Sequence, residues 1–181
     1  MTSRSDVQSA QDRRLRLDAG AQALVATDSL RPSLSLLPAA AYQQLLIVSP
    51  RSPTTIERLV RETGGDVSTV GHLPLSATEH DYDGPMWATE SIDPSDLTGL
   101  SMQYNRALQA LEDGHGWVLF DDFNTLLLYT DAERVVRFLD HVTQRTREAG
   151  VRSAITVVRD AMDDQTYASL QRAVDTEVDI R

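Results

Sequence analysis

Lysine is missing from this 181-residue chain: all 17 basic side chains are arginine, set against 27 acids for a formal net charge of -10. Without an ε-ammonium group there is no Schiff-base chemistry and no phosphate-binding lysine, because arginine stays protonated and is not a nucleophile. Cysteine is missing too, which excludes disulfides and thiolate zinc sites. Nitrogen ligands are limited to four scattered histidines, His72, His80, His115 and His141. Long apolar runs are also lacking. The stretch 34–42 is short and broken by Pro38, and residues 1–12 are polar and charged. Neither a membrane span nor a secretory leader is expected, and the expected compartment is the cytoplasm. Basic surface is scarce: the one cluster, Arg13, Arg14 and Arg16, is flanked by Asp12 and Asp18. A chain this acidic repels a phosphate backbone, so direct nucleic-acid binding is not expected.

What is abundant is aspartate, which outnumbers glutamate by 19 to 8. Dense short carboxylates stay hydrated where water is scarce, and their mutual repulsion is relieved when the Debye length falls to about 3 Å near molar salt. The composition therefore points to a salt-adapted protein, of haloarchaeal type. With 41% hydrophobic residues the chain can bury one core, so one domain with a tail is expected.

Residues 1–41 are rich in Ser, Ala, Gln and Arg with weak periodicity, and read as a flexible N-terminal arm ahead of a domain over 42–181. The domain opens with the apolar run Leu45, Leu46, Ile47, Val48, followed by Ser52-Pro53, an N-cap with proline at the first helical position. Ile56, Leu59 and Val60 share a helix face that stops at Gly64-Gly65. Strands are expected at 67–70 and 86–89, with an irregular acidic stretch over 71–85. Asp93-Pro94-Ser95-Asp96 then signals a helix carrying Leu97, Leu100, Tyr104, Ala107, Leu108 and Leu111. His115, between Gly114 and Gly116, reads as a turn residue. Trp117-Val118-Leu119-Phe120 is a wholly apolar strand suited to a central place and ends in Asp121-Asp122. Thr130 to Glu133 matches a capping box for a helix closed by Gly150, a strand is expected over 154–158, Asp163 caps a last helix, and 178–180 reads as a final strand. Trp117 and Trp87 read as core or sheet-face residues. Strands alternating with helices imply a doubly wound, mainly parallel α/β sheet with helices on both faces and right-handed crossovers.

The segment 116–131, GWVLFDDFNTLLLYTD, with 132–142 behind it, resembles the Walker B region of RecA-like ATPases, closest to the KaiC-related branch. DPSDLTGL at 93–100, together with FDDFNTLLLYTDAERVVRFLDHVTQRTREAG, looks like a haloarchaeal family of uncharacterised KaiC-derived domains, some labelled transducer-like. The likeness covers roughly residues 44–181. It implies a RecA-like fold with Asp121 at the position that holds Mg²⁺ in active relatives. Asp122 replaces the small hydroxyl residue those relatives often carry. A P-loop after the first strand needs glycines, whose backbone N–H groups curl around phosphates, and a lysine. With the first strand placed at 45–48, the corresponding turn is Ser49-Pro50-Arg51-Ser52-Pro53-Thr54-Thr55, which has neither.

The candidate site residues follow. Arg51, Thr54 and Thr55 form a vestigial anion or cofactor-binding turn beside a helix N-terminus. Asp121, Asp122 and Asp160, all at strand ends, are candidate Mg²⁺ ligands. The expected function is a degenerate RecA/KaiC-like interaction module in signalling or gene regulation, with no catalytic residue and no cofactor. The alternative is a Mg²⁺-dependent phosphohydrolase or nucleotide sensor using the Asp121/Asp122 cluster. A protein partner or a second copy of the chain is the expected ligand.

Overall fold

Short apolar runs separated by capped helices fold into one seven-stranded sheet in which every strand pairing is parallel. The computed structural model describes residues 14–28, 33–111 and 114–181. The strands are β1 (Gln22–Thr27), β2 (Leu45–Ser49), β3 (Val70–Pro74), β4 (Trp87–Ala88), β5 (Trp117–Phe120), β6 (Arg152–Val158) and β7 (Thr176–Asp179). The helices are α1 (Pro53–Glu62), α2 (Leu97–Leu108), α3 (Asn124–Tyr129), α4 (Ala132–Glu148) and α5 (Asp164–Arg172). Across the sheet the order is β4-β3-β2-β5-β6-β1-β7. From β1 the chain steps toward the β4 edge, and from β4 it steps back toward β7. This is the doubly wound α/β architecture.

Two hydrophobic layers follow from the strand alternation. On one face α1 and the turns over 33–43 cover Val25, Leu45, Ile47, Val70, Trp117 and Leu119. On the other, α2, α4 and α5 cover Leu24, Leu46, Val48, Val118, Phe120 and Ile155. Phe120 centres the second layer. Its ring packs on Tyr104 from α2, with centroids 5.6 Å apart, and edge-on against Phe123 and Phe138. The buried Tyr104 hydroxyl is paired with Thr146 of α4, whose own hydroxyl donates to the Val142 carbonyl. Trp117 is buried, as expected. Trp87, on the edge strand, is half exposed and lies where a side chain at Gly71 would meet its ring at 2.9 Å.

The expected arm is corrected first. Within 1–41, Gln22–Thr27 form β1, an interior strand paired with β6 on one side and β7 on the other, and all six residues are buried. The run contains two alanines and starts on a glutamine, so it lacks the weight of β2 or β5. Its polar first residue is satisfied internally: Gln22 Nε2 donates to the carbonyls of Gly20 and Val151, and the Ser153 hydroxyl donates to its Oε1. Packing begins earlier still, since Leu15 is buried and its N–H donates to the Leu36 carbonyl at 2.8 Å. Of the expected arm, residues 1–13 and 29–32 lie outside the described residues.

Local chemistry accounts for the other departures. Val67–Thr69 is a 3-10 turn rather than a strand, because Asp66 accepts the Ser68 N–H, and the strand starts at Val70, the last residue of the expected one, and runs to Pro74 through the stretch expected to be irregular. The capping box at Thr130 does not form. Asp131 takes the N-cap position without a side-chain cap bond, the Thr130 hydroxyl is buried without a partner, and α3 precedes it. The caps at Ser52, Asp96 and Asp163 form as the sequence implies, each accepting an N–H from the third residue on.

Candidate functional site

The chain leaves β2 toward the α1 face and leaves β5 toward the opposite face, and these two strands are neighbours. A crevice therefore opens between their carboxyl ends, the place where open parallel sheets hold ligands. Ser49 and Arg51 follow from β2 into it; Asp121 and Asp122 follow from β5.

Asp121 is only 5% exposed. A buried carboxylate needs compensation, and β2 supplies it. The Ser49 hydroxyl donates to Asp121 Oδ2 at 2.9 Å and Arg51 Nε donates to the same oxygen at 3.1 Å. Ser49 Oγ in turn accepts the Arg51 N–H at 3.1 Å, so one hydroxyl ties the turn to the acid. The Asp121 N–H continues the ladder to the Val48 carbonyl at 2.9 Å.

Asp122 turns the chain away. It is the one non-glycine residue with positive φ among the described residues, at 57°, a conformation that aspartate tolerates better than most side chains. Its N–H donates to Thr156 Oγ1 at 3.0 Å and its Oδ2 accepts from Thr125 Oγ1 at 3.0 Å, while Oδ1 is buried without a partner. Burial raises the Asp122 pKa above the ordinary carboxylate value, and Asp121 adds to the rise. The Thr125 hydrogen bond and Arg51 oppose it. Asn124 locks the next step, exchanging hydrogen bonds with the main chain of Val158.

Of the residues expected from sequence, Arg51, Asp121 and Asp122 thus meet in one crevice. Thr54 is exposed on the first turn of α1, and Thr55 faces back to Ser52, its N–H and hydroxyl both engaged there. Asp160 stands apart. Its side chain is 81% exposed and lies 3.7 Å from Arg181 near the C-terminus. Among the described residues no three His, Cys, Asp or Glu side chains gather as a metal-binding group. Sequence reading missed Ser49, Thr125 and Thr156. Only Ser49 carried a signal, a hydroxyl closing an apolar run. With β1 as the first strand, the sequence that follows it, DSLRPS at 28–33, again contains neither glycine nor lysine.

A second polar group sits beside the crevice on β3. His72 is fully buried, neither ring nitrogen has a hydrogen-bond partner, and burial pushes its pKa down to about 3, with the Ser49 main chain opposing the shift and His80 adding to it. His115 is exposed at the opposite, amino end of the sheet, in a cleft of 390 Å³ that Arg16 and Arg152 also line. No helix among the described residues is long and apolar enough to cross a membrane.

A family model described as "Family of unknown function (DUF7504)" matches residues 20–180. The chain belongs to that family. The match begins ahead of β1 and runs past β7, so the family unit is the whole sheet and includes the strand within the expected arm. No curated protein matches the chain.

Proposed function

We propose that this chain is a non-catalytic, RecA/KaiC-like interaction module working in the cytoplasm of a salt-adapted cell, in signalling or gene regulation. The interaction role rests on the resemblance over 93–150. The non-catalytic half rests on one observation: the carboxylate at the Walker B-like position is already paired from within, with the Arg51 guanidinium supplying the opposite charge and the Ser49 hydroxyl a hydrogen bond. Phosphoryl transfer depends on positioning and charge stabilisation supplied by a metal ion and a phosphate cradle. On this reading an arginine takes the metal's electrostatic place, and neither 28–33 nor 49–55 has the glycines or the lysine of a phosphate cradle.

The test is thermal melting in molar KCl with ATP, ADP and Mg²⁺, alone and combined, together with a phosphate-release assay. A module of this kind shows no ligand-dependent rise in midpoint, because only binding to the folded state raises it, and releases no phosphate. ATP turnover lost in Asp121→Asn would establish the Mg²⁺-dependent hydrolase reading instead.

A further inference from the structure

Beyond β3 the chain loops out and returns as the sheet's edge. Segment 76–92 leaves and rejoins β3 at a neck, where the Ser76 N–H donates to the Ile92 carbonyl at 2.9 Å and the Ile92 N–H donates to the Pro74 carbonyl at 2.8 Å. Between these ends the ties among the described residues are few. β4 is two residues long, the Thr89 N–H donates to the His72 carbonyl at 3.2 Å, and the Ser91 N–H donates to Glu79 Oε2 at 3.3 Å. Tyr82 reaches α1: its hydroxyl donates to Glu57 Oε1 at 2.8 Å and accepts the Met86 N–H at 3.1 Å. Met86 is buried in the same layer as Val70, which shares its face of β3 with His72, and Ala88 is the register partner of His72. The segment therefore closes against the edge and the face of β3 where His72 is fully buried with both ring nitrogens unpartnered. His80 Nε2, Thr89 Oγ1 and Ser91 Oγ, all on the segment, are buried without partners as well.

We infer that segment 76–92 is a strap held shut by the neutrality of His72, and that acid releases it ahead of the rest of the sheet. A charged imidazole under the strap has no counter-ion. β2 brings the Ser49 main chain, the strap brings His80 and Tyr82, β4 brings no charged group, and α1 brings Glu57, which Tyr82 and Arg61 already engage. Of these the Ser49 main chain favours a proton on His72, His80 opposes it, and no carboxylate acts on the ring. The Arg51–Asp121 pair lies beyond Ser49 and is satisfied within itself. Charging His72 thus requires that its ring reach water. Opening the strap is the least costly route, because β3 keeps its five-residue ladder with β2 while only the short edge is lost. The closed ring has a pKa of about 3 and a solvated one the ordinary 6.5, so protons favour the open form below pH 6.5, by about 30-fold at pH 5 and scarcely at pH 8.

The test is amide hydrogen exchange of the full chain in molar KCl from pH 8 to pH 5, well below the melting midpoint and corrected for the intrinsic exchange rate at each pH. The strap is read at the Met86, Thr89 and Ser91 amides, and the central sheet at the Trp117 and Asp121 amides, which donate to the Gln44 and Val48 carbonyls. Protection of the strap amides is expected to fall about 30-fold more than that of the central amides. His72→Leu and His72→Gln, neutral across this range, are expected to abolish that difference, and His80→Gln to keep it. Strap protection indifferent to pH, or falling in step with β5, overturns the inference, as does a selective fall that survives in the His72 variants or vanishes in His80→Gln. Should neither His72 variant fold, the wild-type comparison of strap with β5 decides the matter. Nucleotide binding at the crevice would sink the non-catalytic reading without touching this result.

Discussion

At the scale of single residues, charge placement in this chain follows the cost of burial. Asp121 is buried and paired, Asp160 is exposed and only loosely paired, and His72 is buried and unpaired. His72 tolerates burial by staying neutral. Its folded pKa of about 3 lies below the ordinary value of 6.5, so the unfolded chain binds the extra proton. The stability associated with neutral His72 is complete above pH 6.5 and is lost progressively as pH falls toward 3. Asp122 has the opposite sign: its raised pKa favours the fold at low pH and withdraws that preference as pH rises through the folded value. Replacing His72 by leucine removes two unpartnered ring nitrogens at similar volume, and such swaps cost under about 1.5 kcal/mol or stabilise. His72→Leu is therefore expected to melt within a few degrees of wild type at pH 7.5 and clearly above it near pH 5, measured by circular dichroism at fixed salt. A constant difference between the two proteins across that range would refute the assignment of acid sensitivity to this ring.

At the scale of elements, legibility tracked the strength of local signals. β2 and β5 are unbroken apolar runs, and Ser52-Pro53, Asp96 and Asp163 are caps whose chemistry is complete within four residues, so these elements and their order could be read. β1 could not. Its alanines and its buried glutamine become strand-like only between β6 and β7, through partners more than a hundred residues away. α3 was hidden for a related reason: Asn124 at its start is held by the main chain of Val158 on β6, and the turn before it needs the positive φ of Asp122, which no local pattern announces. The crevice was half legible. The acids stood out in sequence, whereas their neutralisation by Arg51 depends on β2 lying beside β5. The position of β1 carries its own prediction. A fragment over 42–181 removes six buried residues from the sheet interior and leaves β6 and β7 without a common neighbour. It is expected to be unfolded or aggregated, because exposed parallel-strand edges and an opened core face water together. A cooperative thermal transition from that fragment, matching the full chain, would show β1 to be dispensable.

At the scale of the whole molecule, the ten excess negative charges set the terms on which the fold is stable. Added salt acts on two opposing quantities. It weakens the exposed arginine–carboxylate pairs, such as Arg58–Glu62 and Arg147–Asp175, which are worth about 0.2–1 kcal/mol each and are screened easily. It also weakens repulsion among acids that folding crowds together, a sum over many pairs that reaches across the surface when the Debye length is about 10 Å, near 0.1 M, and collapses when it is about 3 Å, near 1 M. Several exposed pairs are neighbours on a single helix, as Arg58–Glu62 and Arg137–Glu133 are, and keep part of their attraction in the unfolded chain. Repulsion belongs chiefly to the compact state. The balance therefore favours salt: the melting midpoint is expected to climb from dilute buffer to molar KCl, with the fold loosened or aggregating at the dilute end. Lowering pH toward the sequence pI of 4.7 removes the same repulsion by protonating exposed acids, but it also charges the population in which His72 is exposed. Acid should thus reproduce only part of the salt effect in the wild-type chain and more of it in His72→Leu. Melting curves of both proteins across a KCl series at two pH values separate these contributions. A midpoint indifferent to KCl would mean that the missing lysines and abundant aspartates carry no adaptation to salt.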